Sequence, residues 1–154
     1  MLLVSLALSA VMVALTVVIH FLGLIALSTL IFRRSQSVGP LQSVRAKAGA
    51  TLAVVLGLFA VHTVQIWMYA VLYLMLGEFQ TLEAALYFST STFTTVGFGD
   101  VYLDEPWRML AAIESANGFL LIGWSTAFLI SVTSTIHDID RKITALRNTL
   151  EEKG

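Results

Sequence analysis

The sequence predicts an all-α integral membrane protein with three spanning helices and one short re-entrant helix. Three observations carry that expectation. Of the 154 residues, 57% are hydrophobic and only 12% charged, with a mean hydropathy of +0.84, well above the apolar share of soluble domains. The stretches Leu6 to Phe32, Ala50 to Leu76 and Trp107 to Thr135 each exceed the ~20 residues that cross ~30 Å of hydrocarbon as helix. Between the second and third lies a shorter helical stretch that ends in glycine-punctuated backbone.

The first span, within residues 1–32, lacks the basic leading region of a secretory signal, and its apolar run is longer than such signals carry, so it reads as a retained helix. The linker 33–49 holds Arg33, Arg34, Arg45 and Lys47 and no acid. The positive-inside rule therefore places it in the cytoplasm, with the N-terminus outside and the C-terminus inside. Gly39 and Pro40 break this linker.

The second span is expected over 50–76, closed by Gly77 as a C-terminal cap. The segment from Gly77 to Pro106 then faces outward, which suits the acids Glu78, Glu83, Asp104 and Glu105 among its residues. Within it, TLEAALYFSTSTF (81–93) has good helix formers, Thr81 as N-cap and Glu83 in the first turn. At about 1.5 Å per residue it reaches only about 20 Å and cannot span. Irregular backbone after such a helix is tolerated at membrane depth only where it is buried in protein or lines water, which describes a re-entrant loop.

The third span is expected over 107–135, with Asp104 or Glu105 capping it, Pro106 in its first turn and Trp107 at headgroup level. The tail 136–154 places Ile136, Ile139, Ile143, Leu146 and Leu150 at a and d heptad spacing. Two readings stay open for it: a short coiled coil of more than two strands, and an amphipathic helix on the membrane surface.

The stretch TTVGFGD, Thr94 to Asp100, has the makings of a cation path. A cation stripped of water needs oxygen ligands, and successive carbonyls supply them if they point one way. Gly97 and Gly99 permit positive φ, so a chain alternating between handed regions can aim consecutive carbonyls to one side. Thr95 adds a hydroxyl at the inner end. Val96 and Phe98 are expected to point away into packing. The carbonyl end of the preceding helix carries partial negative charge that favours a cation. One copy cannot surround an ion; four can.

TTVGFGD resembles the potassium channel pore signature Thr-Val-Gly-Tyr-Gly-Asp, with Phe98 in the tyrosine place. ALYFSTSTFTTVGFGD is similar to the pore helix and filter of two-pore-domain potassium channels, and Gly118 and Gly123 resemble the inner-helix glycines of the family. The resemblance covers residues 50–135 and implies a homotetrameric potassium channel pore in the plasma membrane: outer helix 50–76, pore helix 81–93, filter 95–99, inner helix 107–135. It implies that Thr95, Val96, Gly97 and Phe98 coordinate potassium ions and that Thr94, Gly99, Asp100, Tyr87 and Ser91 support the filter, with Tyr87 donating a hydrogen bond to Asp100. Two positions depart from the family: Phe98 lacks the tyrosine hydroxyl, and Ser91 stands where some bacterial relatives have glutamate. Helix 1 is extra to a minimal pore and has no arginine repeat, so it is no voltage sensor.

Other polar residues within the spans invite a role. Glu114 has two open placements: behind the filter near Ser91 or Thr92, or facing outer-mouth water. His20, His62 and Gln65 are expected to make interhelical hydrogen bonds as neutral groups, the alternative being a proton-sensitive contact. A gating hinge is expected at Gly118 and helix packing at Gly123. Ile122 and Thr126 are placed on the cavity face with Gly118, and Trp124 at a lipid or subunit boundary.

The composition excludes other functions. The net charge of −1 argues against nucleic acid, and the absence of cysteine excludes thiolate metal sites and disulfides. GFGD also matches the GxGD pattern of intramembrane aspartyl proteases, but the second membrane aspartate that this chemistry needs is missing. Two alternatives to a selective channel remain, a non-conducting membrane scaffold that keeps the pore fold and a weakly selective cation channel. The order Gly97, Phe98, Gly99 favours potassium selectivity over the latter.

Overall fold

A computed structural model describes the backbone of residues 1–37 and 44–151, and the side chains of 1–31, 33 and 48–134. The elements in order are α1 (Leu2–Ser37), α2 (Val44–Met75), α3 (Leu82–Phe93), a 3₁₀ turn (Glu105–Trp107) and α4 (Arg108–Glu151). Three segments are long and apolar enough to cross a membrane: Leu2–Ile31, Ala48–Met75 and Glu105–Ser134. α3 is too short to do so.

The long helices overrun the boundaries drawn from hydropathy. α1 extends to Ser37 and α2 begins at Val44, so much of the linker 33–49 is helix. α4 passes through residue 135 and continues to Glu151, with no boundary between inner helix and tail. Hydropathy reports where lipid ends, and backbone hydrogen bonding does not stop there. The Gly39–Pro40 break and the side chains of Arg34, Arg45, Lys47 and the heptad positions lie outside the described residues.

The chain divides into two compact units. The first comprises Met1–Leu22 and Phe59–Trp124. Its apolar core is Met12, Tyr69, Tyr73, Phe88, Phe93, Leu103, Leu110 and Leu121. Tyr73 and Phe88 meet edge-on with ring centres 5.3 Å apart, the geometry that aromatic quadrupoles favour. Interleaved with this core is a buried polar set: Ser5, Ser9, Thr16 and His20 of α1, Gln65 of α2, Ser89 of α3, and Glu114 and Asn117 of α4. Along the spanning helices large apolar side chains are exposed instead, among them Leu3, Val18 and Phe21 of α1 and Phe59, Val64 and Trp67 of α2.

This inversion follows from lipid as solvent. Apolar side chains gain nothing by leaving hydrocarbon, whereas polar ones must find partners inside. On α1 the buried residues Ser5, Ser9, Met12, Thr16 and His20 recur every three or four positions and so share one face. Thr16 is the hub of that face. Its carbonyl accepts from Gln65 Nε2 at 2.9 Å, and its hydroxyl oxygen accepts from Asn117 Nδ2 at 2.8 Å. Asn117 Nδ2 also lies 3.3 Å from the Tyr69 hydroxyl. The extra helix is thereby bonded to both α2 and α4.

The histidines only partly follow expectation. Gln65 makes the interhelical bond to Thr16, while His62 Nδ1 pairs with Gln65 Oε1 at 2.9 Å within α2. His20 is fully buried and neither ring nitrogen has a hydrogen-bond partner. Its ring lies against those of His62 and Trp124, with centres 5.4 and 5.3 Å away. Trp124 is partly exposed and also contacts Phe21.

The second unit comprises Gly23–Leu58 and Ser125–Gly154. Its core is Leu24, Val54 and Leu58, with Leu27, Ile31, Phe128, Leu129 and Val132 packed around them.

Candidate functional site

The site begins where α2 ends. Gly77 takes φ +79°, a left-handed conformation that glycine adopts at no steric cost. Gly77 N–H donates to the Leu74 carbonyl and Glu78 N–H to the Tyr73 carbonyl, each at 3.1 Å, the paired bonds of a Schellman cap. The chain turns back and Thr81 caps α3, its hydroxyl accepting from Ala84 N–H at 3.3 Å. Farther on, the Glu78 carboxylate accepts from Asp104 N–H at 2.8 Å, which ties the two ends of the excursion together. Asp104 makes no side-chain cap. Its carbonyl accepts from Trp107 N–H at 3.0 Å, and a 3₁₀ turn rather than an α-helical one leads into α4. Pro106 sits in this first turn, where its missing N–H leaves no bond unmade.

α3 closes on hydroxyls. Thr94 N–H and Thr94 Oγ1 both donate to the Thr90 carbonyl, at 3.1 and 2.7 Å. Thr95 N–H donates to Thr92 at 3.0 Å, and Gly97 N–H reaches back to Ser91 at 3.1 Å. Beyond Thr94 the helix is replaced by a chain of alternating hand: φ is +62° at Thr95, +52° at Gly97 and +74° at Gly99, and among the described residues Thr95 alone has positive φ without being glycine. A threonine in that region is strained by roughly 1–2 kcal/mol, and such strain persists only where its surroundings impose it. Glycine at 97 and 99 made the left-handed backbone of those two positions legible in the sequence; nothing marked Thr95 for that conformation.

The side chains at 96 and 98 are exposed within the single chain. The Phe98 ring stacks on Tyr87, with centres 6.3 Å apart and planes within 11°. The Tyr87 hydroxyl donates to Asp100 Oδ2 at 2.7 Å, and this bond to the carboxylate raises the phenol above its ordinary pKa. One α3 side chain thus holds two points of the segment.

Glu114 is fully buried. It faces neither Ser91 nor outer-mouth water. Its Oε2 accepts from the Tyr73 hydroxyl at 2.5 Å and its Oε1 lies 2.5 Å from Ser89 Oγ, which is also 3.0 Å from the Ile66 carbonyl. Ser91 Oγ instead donates to the Phe88 carbonyl of its own helix at 3.1 Å. Against the placement near Ser91 or Thr92, the partner Ser89 lies two or three residues back along α3, which for Ser91 is about 200° around a helix at 3.6 residues per turn.

The glycines of α4 also differ from expectation. A Cβ on Gly118 would sit 2.0 Å from the Phe93 carbonyl oxygen and 2.8 Å from its carbon, whereas Gly123 has nothing within 4 Å. Within the single chain the close contact is therefore at Gly118, where α4 crosses the end of α3. Ile122 is partly buried against the first unit's core, and Thr126 is exposed.

Sequence reasoning passed over Thr16, Tyr69, Tyr73, Ser89 and Asn117. A signal existed for Asn117, an amide three residues after Glu114 on a spanning helix. The other four are ordinary hydroxyl residues whose roles appear only once the helices are packed.

No curated protein and no solved structure matches the chain. The family model described as "Ion channel" matches residues 54–135, more than half the chain, and this interval contains α3, the alternating segment and Glu114. With three spans long enough for a bilayer, the chain is a multi-pass membrane protein in contact with lipid and ions, a channel and not an enzyme, and it belongs to the ion channel family.

Proposed function

We propose that the chain forms a homotetrameric, potassium-selective channel of the plasma membrane that conducts passively, with α3 as a re-entrant pore helix and residues 95–99 as the selectivity filter. The observation that carries this reading is the alternation of handedness at Thr95, Gly97 and Gly99. Alternating φ lets successive peptide carbonyls share one direction, which regular strand geometry forbids. The Thr95, Val96, Gly97 and Phe98 oxygens would ligand the ion, with potassium as cargo and the carboxy-terminal end of α3 lending negative potential. Fourfold assembly is part of the proposal because a single strand offers ligands on one side only.

The TTVGFGD motif, of the two-pore-domain type in its pore helix, supports potassium over sodium. Thr94, Ser91, Tyr87 and Asp100 serve as support through the bonds described above, and Gly99 through its left-handed backbone. The basic linker supports a cytoplasmic linker and C-terminus with the N-terminus outside. The test is ion flux into vesicles reconstituted with the purified protein. Potassium flux well above sodium flux, blocked by barium, is the expected result; equal flux of the two ions, or none, overturns the reading.

A further inference from the structure

We infer that Glu114 is held as a neutral carboxylic acid that clamps α3 between α2 and α4, and that it is thereby a positioning residue for the segment 95–99. The positional part of this inference rests on the channel reading above; the protonation part does not.

Ser89 has one hydroxyl hydrogen and two oxygens against it, the Ile66 carbonyl at 3.0 Å and Glu114 Oε1 at 2.5 Å. The 2.5 Å separation needs a hydrogen between its oxygens, and either group can supply it. A neutral Glu114 donating from Oε1 leaves the serine hydrogen for the Ile66 carbonyl, while the Tyr73 phenol donates to Oε2 at 2.5 Å; a carboxylate leaves the one serine hydrogen shared between two acceptors.

The surroundings agree. Glu114 is fully buried, and an unpaired buried charge is strongly disfavoured. Among the described residues its hydrogen-bond partners are Tyr73 and Ser89, with no cation. The titratable groups facing it are Tyr73 and Tyr69 of α2; α3 presents Ser89, and the nearby α1 hub is the uncharged Thr16. The clamp joins three elements: Glu114 on α4, Tyr73 and the Ile66 carbonyl on α2, Ser89 on α3. One turn farther along α4, Gly118 lets the helix close onto the Phe93 carbonyl, immediately before Thr94. α3 is therefore held near its middle by a proton-bearing side chain and at its end by backbone contact.

Infrared difference spectroscopy of the purified protein against Glu114→Gln at neutral pH reads the proton directly. A protonated-acid carbonyl band present in the native protein, lost in the variant and shifted in heavy water is the expected result. Loss of carboxylate bands in its place overturns the acid form. The same two proteins in vesicles read the positioning role. Glutamine keeps one donor and one acceptor in place of the acid, so Glu114→Gln retains native potassium-over-sodium discrimination. Glu114→Ala assembles but loses discrimination by about tenfold, the factor that one buried hydrogen bond supports. Native discrimination in an assembled Glu114→Ala channel overturns the positioning role. If that variant does not assemble, Tyr73→Phe removes one bond at nearly constant volume and is read in the same way. Absence of selective flux in the native protein would overturn the channel reading while the infrared result still decides the proton.

Discussion

Alanine at Gly118 sets two effects against each other. Alanine raises the helix propensity of α4 by about 1 kcal/mol over glycine, so in an isolated helix the change stabilises. In the folded chain the new Cβ would sit 2.0 Å from the Phe93 carbonyl oxygen and 2.8 Å from its carbon. Both atoms are backbone, so no side-chain rotation relieves the overlap, and reaching even a 3.0 Å contact moves the end of α3 or the axis of α4 by about 1 Å. Overpacking of this kind costs about 1–3 kcal/mol, which outweighs the propensity gain. The displaced atom belongs to the residue before Thr94, so the shift falls on the alternating segment. Gly118→Ala is therefore expected to lower the thermal unfolding temperature in detergent and to abolish selective potassium flux. Gly123→Ala, with nothing within 4 Å of its Cβ, is the control and is expected to match or exceed native stability. Native melting and native flux in Gly118→Ala would refute the packing argument.

Other outcomes follow from the same contacts. Gly97→Ala and Gly99→Ala each force a Cβ into left-handed backbone, at φ +52° and +74°, a strain of roughly 1–2 kcal/mol per residue; both should assemble, seen by native-mass measurement, while flux in vesicles disappears. Thr16→Val removes the acceptor of Asn117 and is expected to lower stability by about 0.6 kcal/mol, the mean for hydrogen bonds between membrane helices, measurable by unfolding in mixed detergent. Tyr87→Phe keeps the ring against Phe98 and loses the bond to Asp100; potassium flux should begin normally and decay faster than in the native protein, as followed in a time course of tracer uptake.

The three spans and the short helix between them are legible in hydropathy, because lipid imposes both length and composition. The glycines at 97 and 99 are legible for a different reason: a left-handed position selects against every side chain, and that selection shows in one residue type. Thr95 shares the conformation but was hidden, because the strain there is imposed by neighbours and not by its own preference. The continuation of α4 to Glu151 was hidden too, since a helix that leaves the bilayer changes its composition without changing its backbone. Glu114 was recognisable as an anomaly in a membrane span, but its partners were not. Choosing Ser89 over Ser91 depends on the rotation of α3 about its axis, which the packing of Phe88 and Phe93 into the core fixes. Sequence put a hinge at Gly118 and packing at Gly123, and the close approach of α4 to the Phe93 carbonyl at Gly118 shows only once the helices are packed.

The central claim is that residues 95–98 present their oxygens to a common axis shared by four chains. High-resolution imaging of the particle in potassium, and again in sodium, tests it most directly. The account predicts four equivalent subunits with a column of ion density on the axis, each ion ringed by oxygens of Thr95, Val96, Gly97 and Phe98, and that column altered in sodium. Carbonyls of these residues directed away from the symmetry axis, or a particle without fourfold symmetry, would contradict it.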